Sequence, residues 1–171
     1  MKNTILSFLF CLLTVWTSFG QKCNFKLDKV DPITGKKAQA IAVKLGHPIS
    51  VNFLRQGDSL YVEGLANLIG EQNFTIATGS LIDIKLGNDS ILFLSSLADV
   101  SPSTSVINLG NRATIYSLYI MQYLLSQNQA DLIKQYGIKF LRLHTQGNQA
   151  GDLPFDKRDT EKSITAAKCI Y

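Results

Sequence analysis

The stretch at residues 113–145, ATIYSLYIMQYLLSQNQADLIKQYGIKFLRLHT, constrains the fold of this chain more than any other. From Ile115 to Leu125 only Ser117 and Gln122 interrupt a run of apolar and aromatic residues. Such a run is either a strand covered on both faces or a buried helix, and periodicity alone does not separate the two. The β-branched and aromatic side chains of Ile115, Tyr116, Tyr119, Ile120 and Tyr123 favour the strand. Ser126 then offers an N-cap hydroxyl, and Gln129 stands three residues on. That is the pattern of a capping box, in which each side chain satisfies an amide left unpaired at a helix start. Leu132, Ile133 and Tyr136 follow as one apolar stripe at helical spacing. Gly137 is placed for the left-handed residue that ends a helix. Residues 138–145 resume as a strand whose apolar positions do not alternate cleanly, which suits cover on both faces.

The segments before this centre are shorter and alternate. Residues 24–30, 38–45, 49–54, 60–65, 74–78, 81–86 and 91–94 read as strands. Asp31-Pro32-Ile33-Thr34-Gly35 and Gly46-His47-Pro48 break the pattern with turn chemistry. Gln56-Gly57-Asp58-Ser59 and Gly87-Asn88-Asp89-Ser90 read as hairpin loops. Residues 95–111 read as a loop, with a short strand possible at 106–109, and residues 146–154 as another loop. A second helix is expected over 156–168, with Asp156, Asp159 and Glu161 early and Lys168 late, in keeping with the helix dipole. Its expected stripe is Ile164, Ala167 and Tyr171. Hairpins followed by two late helices imply an α+β class. The expected architecture is a mainly antiparallel curved sheet of about six to eight strands, with both helices in the C-terminal half against one face.

The first twenty residues have the order of a secretory signal peptide. Lys2 is basic, residues 5–16 are apolar, and Ser18 and Gly20 precede an expected cleavage before Gln21. The apolar run is too short to span a hydrocarbon core of roughly 30 Å. Two other readings remain open: an uncleaved N-terminal anchor, and lipidation at Cys23, although Gly20-Gln21-Lys22 lacks the small or apolar run that lipidation needs. The expected organisation is a leader at 1–20 and one α+β domain at 21–171. About 150 residues suffice to bury a substantial core. Loss of Lys2 lowers the formal charge from +4 to +3. The basic residues are scattered, which argues against nucleic acid, and no second apolar segment is long enough to span a membrane.

Cys11 would leave with the leader, so Cys23 and Cys169 remain at opposite ends of the mature chain. In an oxidising compartment such a pair usually closes, and two cysteines permit one intramolecular pairing. The alternative is two free thiols.

Gly57-Asp58-Ser59-Leu60 spells the signature of the GDSL esterases, where the serine is a nucleophile at the end of a parallel strand. Here Ser59 falls between two alternating strands. Gly87-Asn88-Asp89 is one residue short of that family's Gly-x-Asn-Asp block. His144 follows Leu141 rather than an aspartate three residues earlier, so Asp-x-x-His is missing. A serine without a base is a poor nucleophile. The expectation is therefore a turn, with the esterase as its rival. His47 reads as a loop histidine and His144 as a rim residue. Asp28, Asp31, Asp83 and Asp89 have no metal-ligand spacing, and no H-E-x-x-H, P-loop or C-x-x-C is present. No cofactor is expected. Tyr116, Tyr119 and Tyr123 could line a pocket, but beside Ile and Leu they read first as core.

Gly20-Gln21 with Cys23, Val30-Asp31-Pro32-Ile33-Thr34-Gly35, Leu125-Ser126-x-x-Gln129, Gly137-Ile138 before Arg142 and a late cysteine form one pattern. It resembles small exported Bacteroidota proteins of unknown function. The resemblance covers both ends of the mature chain, matches the middle loosely, and implies no activity. The functional expectation is an exported, non-enzymatic domain, secreted or periplasmic, that binds an unknown protein or small ligand. A sheet edge is one means of binding. The rivals are a secreted hydrolase using Ser59 and a structural envelope component.

Overall fold

Alternation carries most of the architecture, because successive strand residues point to opposite faces. The computed structural model describes residues 23–44, 49–109, 112–144 and 150–171. The expected leader, its cleavage point, His47 and Thr145 lie outside the described residues. In chain order the elements are β1 (Leu27–Val30), β2 (Lys37–Lys44), β3 (Ile49–Gln56), β4 (Ser59–Ile69), β5 (Leu81–Leu86), β6 (Ile91–Ser95), β7 (Ser103–Leu109) and β8 (Arg112–Leu125). Then come α1 (Gln127–Tyr136), β9 (Ile138–His144), β10 (Ala150–Pro154) and α2 (Lys157–Ile170). The class is α+β and mainly antiparallel, with both helices in the C-terminal half, as the pattern requires.

The strands divide between two antiparallel sheets. The larger has the order β1-β2-β3-β4-β8-β7 and curls into a half-barrel; the smaller has the order β10-β9-β5-β6. The stretch from Ile115 to Leu125 is a strand, not a helix, and pairs with β4 from Leu60↔Leu125 to Ile69↔Tyr116. Tyr119, Met121, Tyr123 and Leu125 point into the core, while Ile120 and Leu124 on the other face are 44% and 49% exposed. Ser117, which interrupts the run, is buried because its hydroxyl accepts from Gln72 N and donates to Gly70 O, both at 2.9 Å. Gln122 interrupts on the opposite face and donates to Glu63 at 3.1 Å. The smaller sheet is tied to the larger one where Ser96 bridges Tyr123 and Leu97 N donates to Gln122 O. One apolar cluster runs through both sheets and both helices, from Ile41 and Phe53 through Ile84 and Leu141 to Ala167 and Ile170.

Three local expectations change. Residues 74–78 hold only a single bridge, Ile76↔Val100, because Asp99 takes up the Thr78 amide and hydroxyl. Residues 103–109 form a full edge strand on β8, of which the sequence shows only the Val106–Leu109 part. Ala150–Pro154, read as loop, is an edge strand on β9. Glycine and proline suggested a loop, but an edge strand tolerates proline at its end, where no ladder donor is needed.

The Ser126 capping box forms as expected, with Gln129 Oε1 accepting from Ser126 N at 2.9 Å. Ala130 and Ile133 are buried, and Leu132 and Tyr136 pack beside them. Gly137 has the positive φ expected of it, 67°, but its ψ of 175° lies in the region reserved for glycine rather than in the left-handed helical well. That geometry turns the chain straight into β9.

Candidate functional site

Helix α2 starts at Asp156, whose carboxylate accepts the Asp159 amide at 2.7 Å. Ser163, Ala166, Ala167 and Ile170 recur at helical spacing and form its buried stripe. The expected stripe through Ile164 and Tyr171 is therefore rotated slightly, although Ala167 belongs to both. Tyr171 stacks edge-on against Phe53, and its hydroxyl donates to the Tyr61 carbonyl. Beside the buried stripe runs a second one, Arg158, Lys162, Thr165 and Cys169, at i, i+4, i+7 and i+11.

That second stripe forms one wall of a cleft of about 620 Å³. The facing wall is the end of β2 and residues 23–26. This N-terminal arm is held on β2 by Lys26 N, which donates to Ala40 O at 2.8 Å. The Cys23–Cys169 disulfide joins the two walls, with Cα atoms 5.8 Å apart between residues 146 positions apart in sequence. The pairing expected from export therefore also shapes the cleft.

Phe25, Ile41, Val43 and Ala166 make the cleft apolar, and Lys26, Lys44, Arg158 and Lys162 make it basic. Among the described residues Glu161 is the one carboxylate lining it. Lys162 is held by Asp159 at 2.6 Å. Among the described residues, Lys26, Lys44 and Arg158 have no acidic partner. An apolar cavity with a few charged groups at its margin is the usual form of a small-molecule site.

The outer face of the smaller sheet also has a hollow, of about 480 Å³, but its charges are spent on one another. Arg142 forks onto Asp152 at 2.7 and 2.9 Å and holds that carboxyl below the usual range. Lys139 and Lys85 do the same to Asp89. His144 Nε2 lies 2.8 Å from Asp83 Oδ2. An acid and a histidine thus meet, which no sequence motif announced, since they are 61 positions apart. They do so on the smaller sheet, whereas Ser59 opens β4 on the larger one.

Ser59 pairs with Gln56 across a two-residue hairpin whose Gly57 has φ 60°. This is the turn geometry expected from Gly-Asp between strands. Asn88 plays the matching part in the second hairpin by accepting from Ser90 N and Oγ. Ser59→Ala is expected to change unfolding free energy by no more than about 0.5 kcal/mol, as at ordinary surface sites. Urea titration checks the stability, and a fluorophosphonate probe checks the chemistry. Serine-dependent labelling of Ser59 would restore the esterase reading.

Two of the tyrosines are core. Tyr119 stacks on Phe74 at 4.7 Å and donates to the Phe74 carbonyl. Tyr123 is 1% exposed, and burial pushes its phenol up to about 12. Asn52, Glu63 and Gln122 form a polar row across β3, β4 and β8, with Asn52 Nδ2 donating to Glu63 at 2.6 Å. Asn52 is 3% exposed, while Glu63 and Gln122 are half-buried, so the row cross-links three strands of the sheet. Asp28 and Asp31 serve Lys37 and the turn amides of Ile33 and Thr34. Among the described residues no group of histidines, cysteines and acids is arranged to hold a metal ion.

Fold and cleft together define a disulfide-clasped α+β domain with a basic, apolar-lined cavity. No known protein family, no curated protein and no solved structure matches this chain.

Proposed function

We propose that this chain is an exported, non-enzymatic binding domain, secreted or periplasmic, and that the cleft between α2 and the N-terminal arm holds its ligand. The observation that carries the reading is the cleft itself: an apolar cavity of ligand size with three cations that no described acid neutralises. The polar groups of the rival hollow are mutually satisfied, and Ser59 sits in a turn apart from His144. The disulfide supports an oxidising compartment, where such bonds persist. Among the described residues no helix is long and apolar enough to cross a membrane. The resemblance to small exported Bacteroidota proteins belongs to the same reading.

Native mass spectrometry of the protein recovered from the exported fraction tests it. The expected species begins at Gln21, is two hydrogens lighter than the dithiol, and carries a small adduct that denaturation releases. A mass that retains the leader or includes a lipid on Cys23 overturns the export reading. A mature protein with no adduct, and with no ligand recovered by any extraction, overturns the binding reading.

A further inference from the structure

We infer that the ligand of this cleft is a monomeric anionic amphiphile, with a compact carboxylate or phosphate head and an apolar body. The inference rests on the binding reading above and adds the chemical class. Three observations lead to it.

The first is the division of the lining. Half-buried Phe25 lies over a floor of Ile41, Val43 and Ala166, which belong to the core and are 7%, 3% and 4% exposed, and the exposed side chains of Lys26, Lys44 and Arg158 line the same cleft. Burying apolar surface favours a hydrocarbon body. Long basic side chains keep their charge at the water boundary while their stems cover apolar surface. The arrangement fits a ligand that is itself divided in this way.

The second is charge. Among the described residues Lys29, Lys36, Arg55, Lys157 and Lys168 also lack an acidic partner, but Lys26, Lys44 and Arg158 are the three such cations that line one cleft. Glu161 is too few to balance them. A charged hydrogen bond to an anion is among the stronger polar contacts a protein makes.

The third is the position of Arg158. It stands in the first turn of α2, next to Lys157, where the helix dipole disfavours a cation. Local stability alone would place acids there, as Asp156 and Asp159 show. An anion bound against Arg158 meets the guanidinium beside a helix start whose Asp159 amide is already taken by the Asp156 carboxylate, and offsets the unfavourable placement of the cation.

Isothermal titration of the oxidised mature chain with dodecyl phosphate, kept below its micelle concentration, tests the proposal. Octyl glucoside serves as the neutral probe, decyltrimethylammonium as the cationic one, inorganic phosphate as the head alone, and anionic phospholipid vesicles as the membrane source. Saturable binding of dodecyl phosphate is expected, weakened about tenfold or more in Lys44→Gln/Arg158→Gln, the loss of one to two charge-assisted contacts. Thr165→Trp, which fills the cleft from an exposed position, is expected to abolish binding in a protein that still unfolds cooperatively. Equal binding of the neutral or cationic probe, blocked by Thr165→Trp, would leave the cleft as a binding site and overturn the anionic class. Binding indifferent to Thr165→Trp would overturn both. Affinity for vesicles or for phosphate alone, with none for the monomer, would overturn the amphiphile. If no probe binds, the class is wrong, and the adduct on the native protein decides the cleft reading separately.

Discussion

Replacing both cysteines, Cys23→Ser with Cys169→Ser, is expected to lower unfolding free energy by up to about 5 kcal/mol. The bond joins residues 146 positions apart, across nearly the whole of residues 21–171. Cutting so long a loop restores conformational freedom to the unfolded chain, and the chain-entropy relation gives about 5 kcal/mol for this length. Residual unfolded structure reduces the figure, so it is an upper value. The native geometry agrees with the role: the Cα separation of 5.8 Å is in the ordinary range, and Cys169 lies on the stripe of α2 that faces the arm. Urea titrations of the wild type and the double variant measure the difference. A loss under about 1 kcal/mol would show that the clasp does not restrain the unfolded chain. Non-reducing peptide mapping should recover the Cys23 and Cys169 peptides as one species, and two freely alkylated cysteines would contradict the pairing.

Gly137→Ala is expected to be strongly destabilising, by about 2–6 kcal/mol. Two costs add at this position. Its φ of 67° with ψ of 175° is a conformation that an L side chain adopts only with about 1–3 kcal/mol of strain. A Cβ would also stand 2.7 Å from both Ile164 Cγ1 and the Thr160 carbonyl oxygen, and 3.0 Å from Ser163 Oγ. The carbonyl is helix backbone and cannot swing aside. Overpacking of this kind adds about 1–3 kcal/mol. The same contact carries the hydrogen bonds that seat α2, since Ser163 Oγ accepts from Ile138 N at 2.8 Å and donates to Thr160 O at 2.7 Å. Gly35→Ala provides the reference: its φ is 69°, and nothing lies within 4 Å of the added carbon. Its cost should reflect the backbone alone, about 1–2 kcal/mol. Chemical denaturation of the two variants separates packing from backbone strain. Equal losses would mean that α2 moves away at no cost and that the close approach at Gly137 is not a constraint.

Much of this molecule is local, and local features are legible in sequence. The Ser126–Gln129 box, the Gly57-Asp58 and Gly87–Ser90 hairpins and the alternation in β2 to β6 each depend on residues within a few positions of one another. Their chemistry therefore stands in the primary structure. The cysteine pair was also open to inference, because only two cysteines remain after the expected leader.

The division into two sheets was decided by tertiary structure. Strands β5 and β6 follow β4 in sequence but pair with β9 and with each other, and β4 takes β8 instead. Hydrophobic patterns state which face a strand buries, not which distant strand completes its ladder. β10 became a strand for the same reason: β9 offered an unpaired edge that outweighed the local turn composition. The cleft belongs wholly to this level. Arg158, Lys162 and Cys169 are a helical stripe in any α2, and Ile41, Val43 and Lys44 are an alternating strand in any β2. Only the packing of that helix beside that strand, with Cys23 bonded across the gap, gathers them around one cavity, because a cavity is a property of surfaces that sequence keeps more than a hundred residues apart.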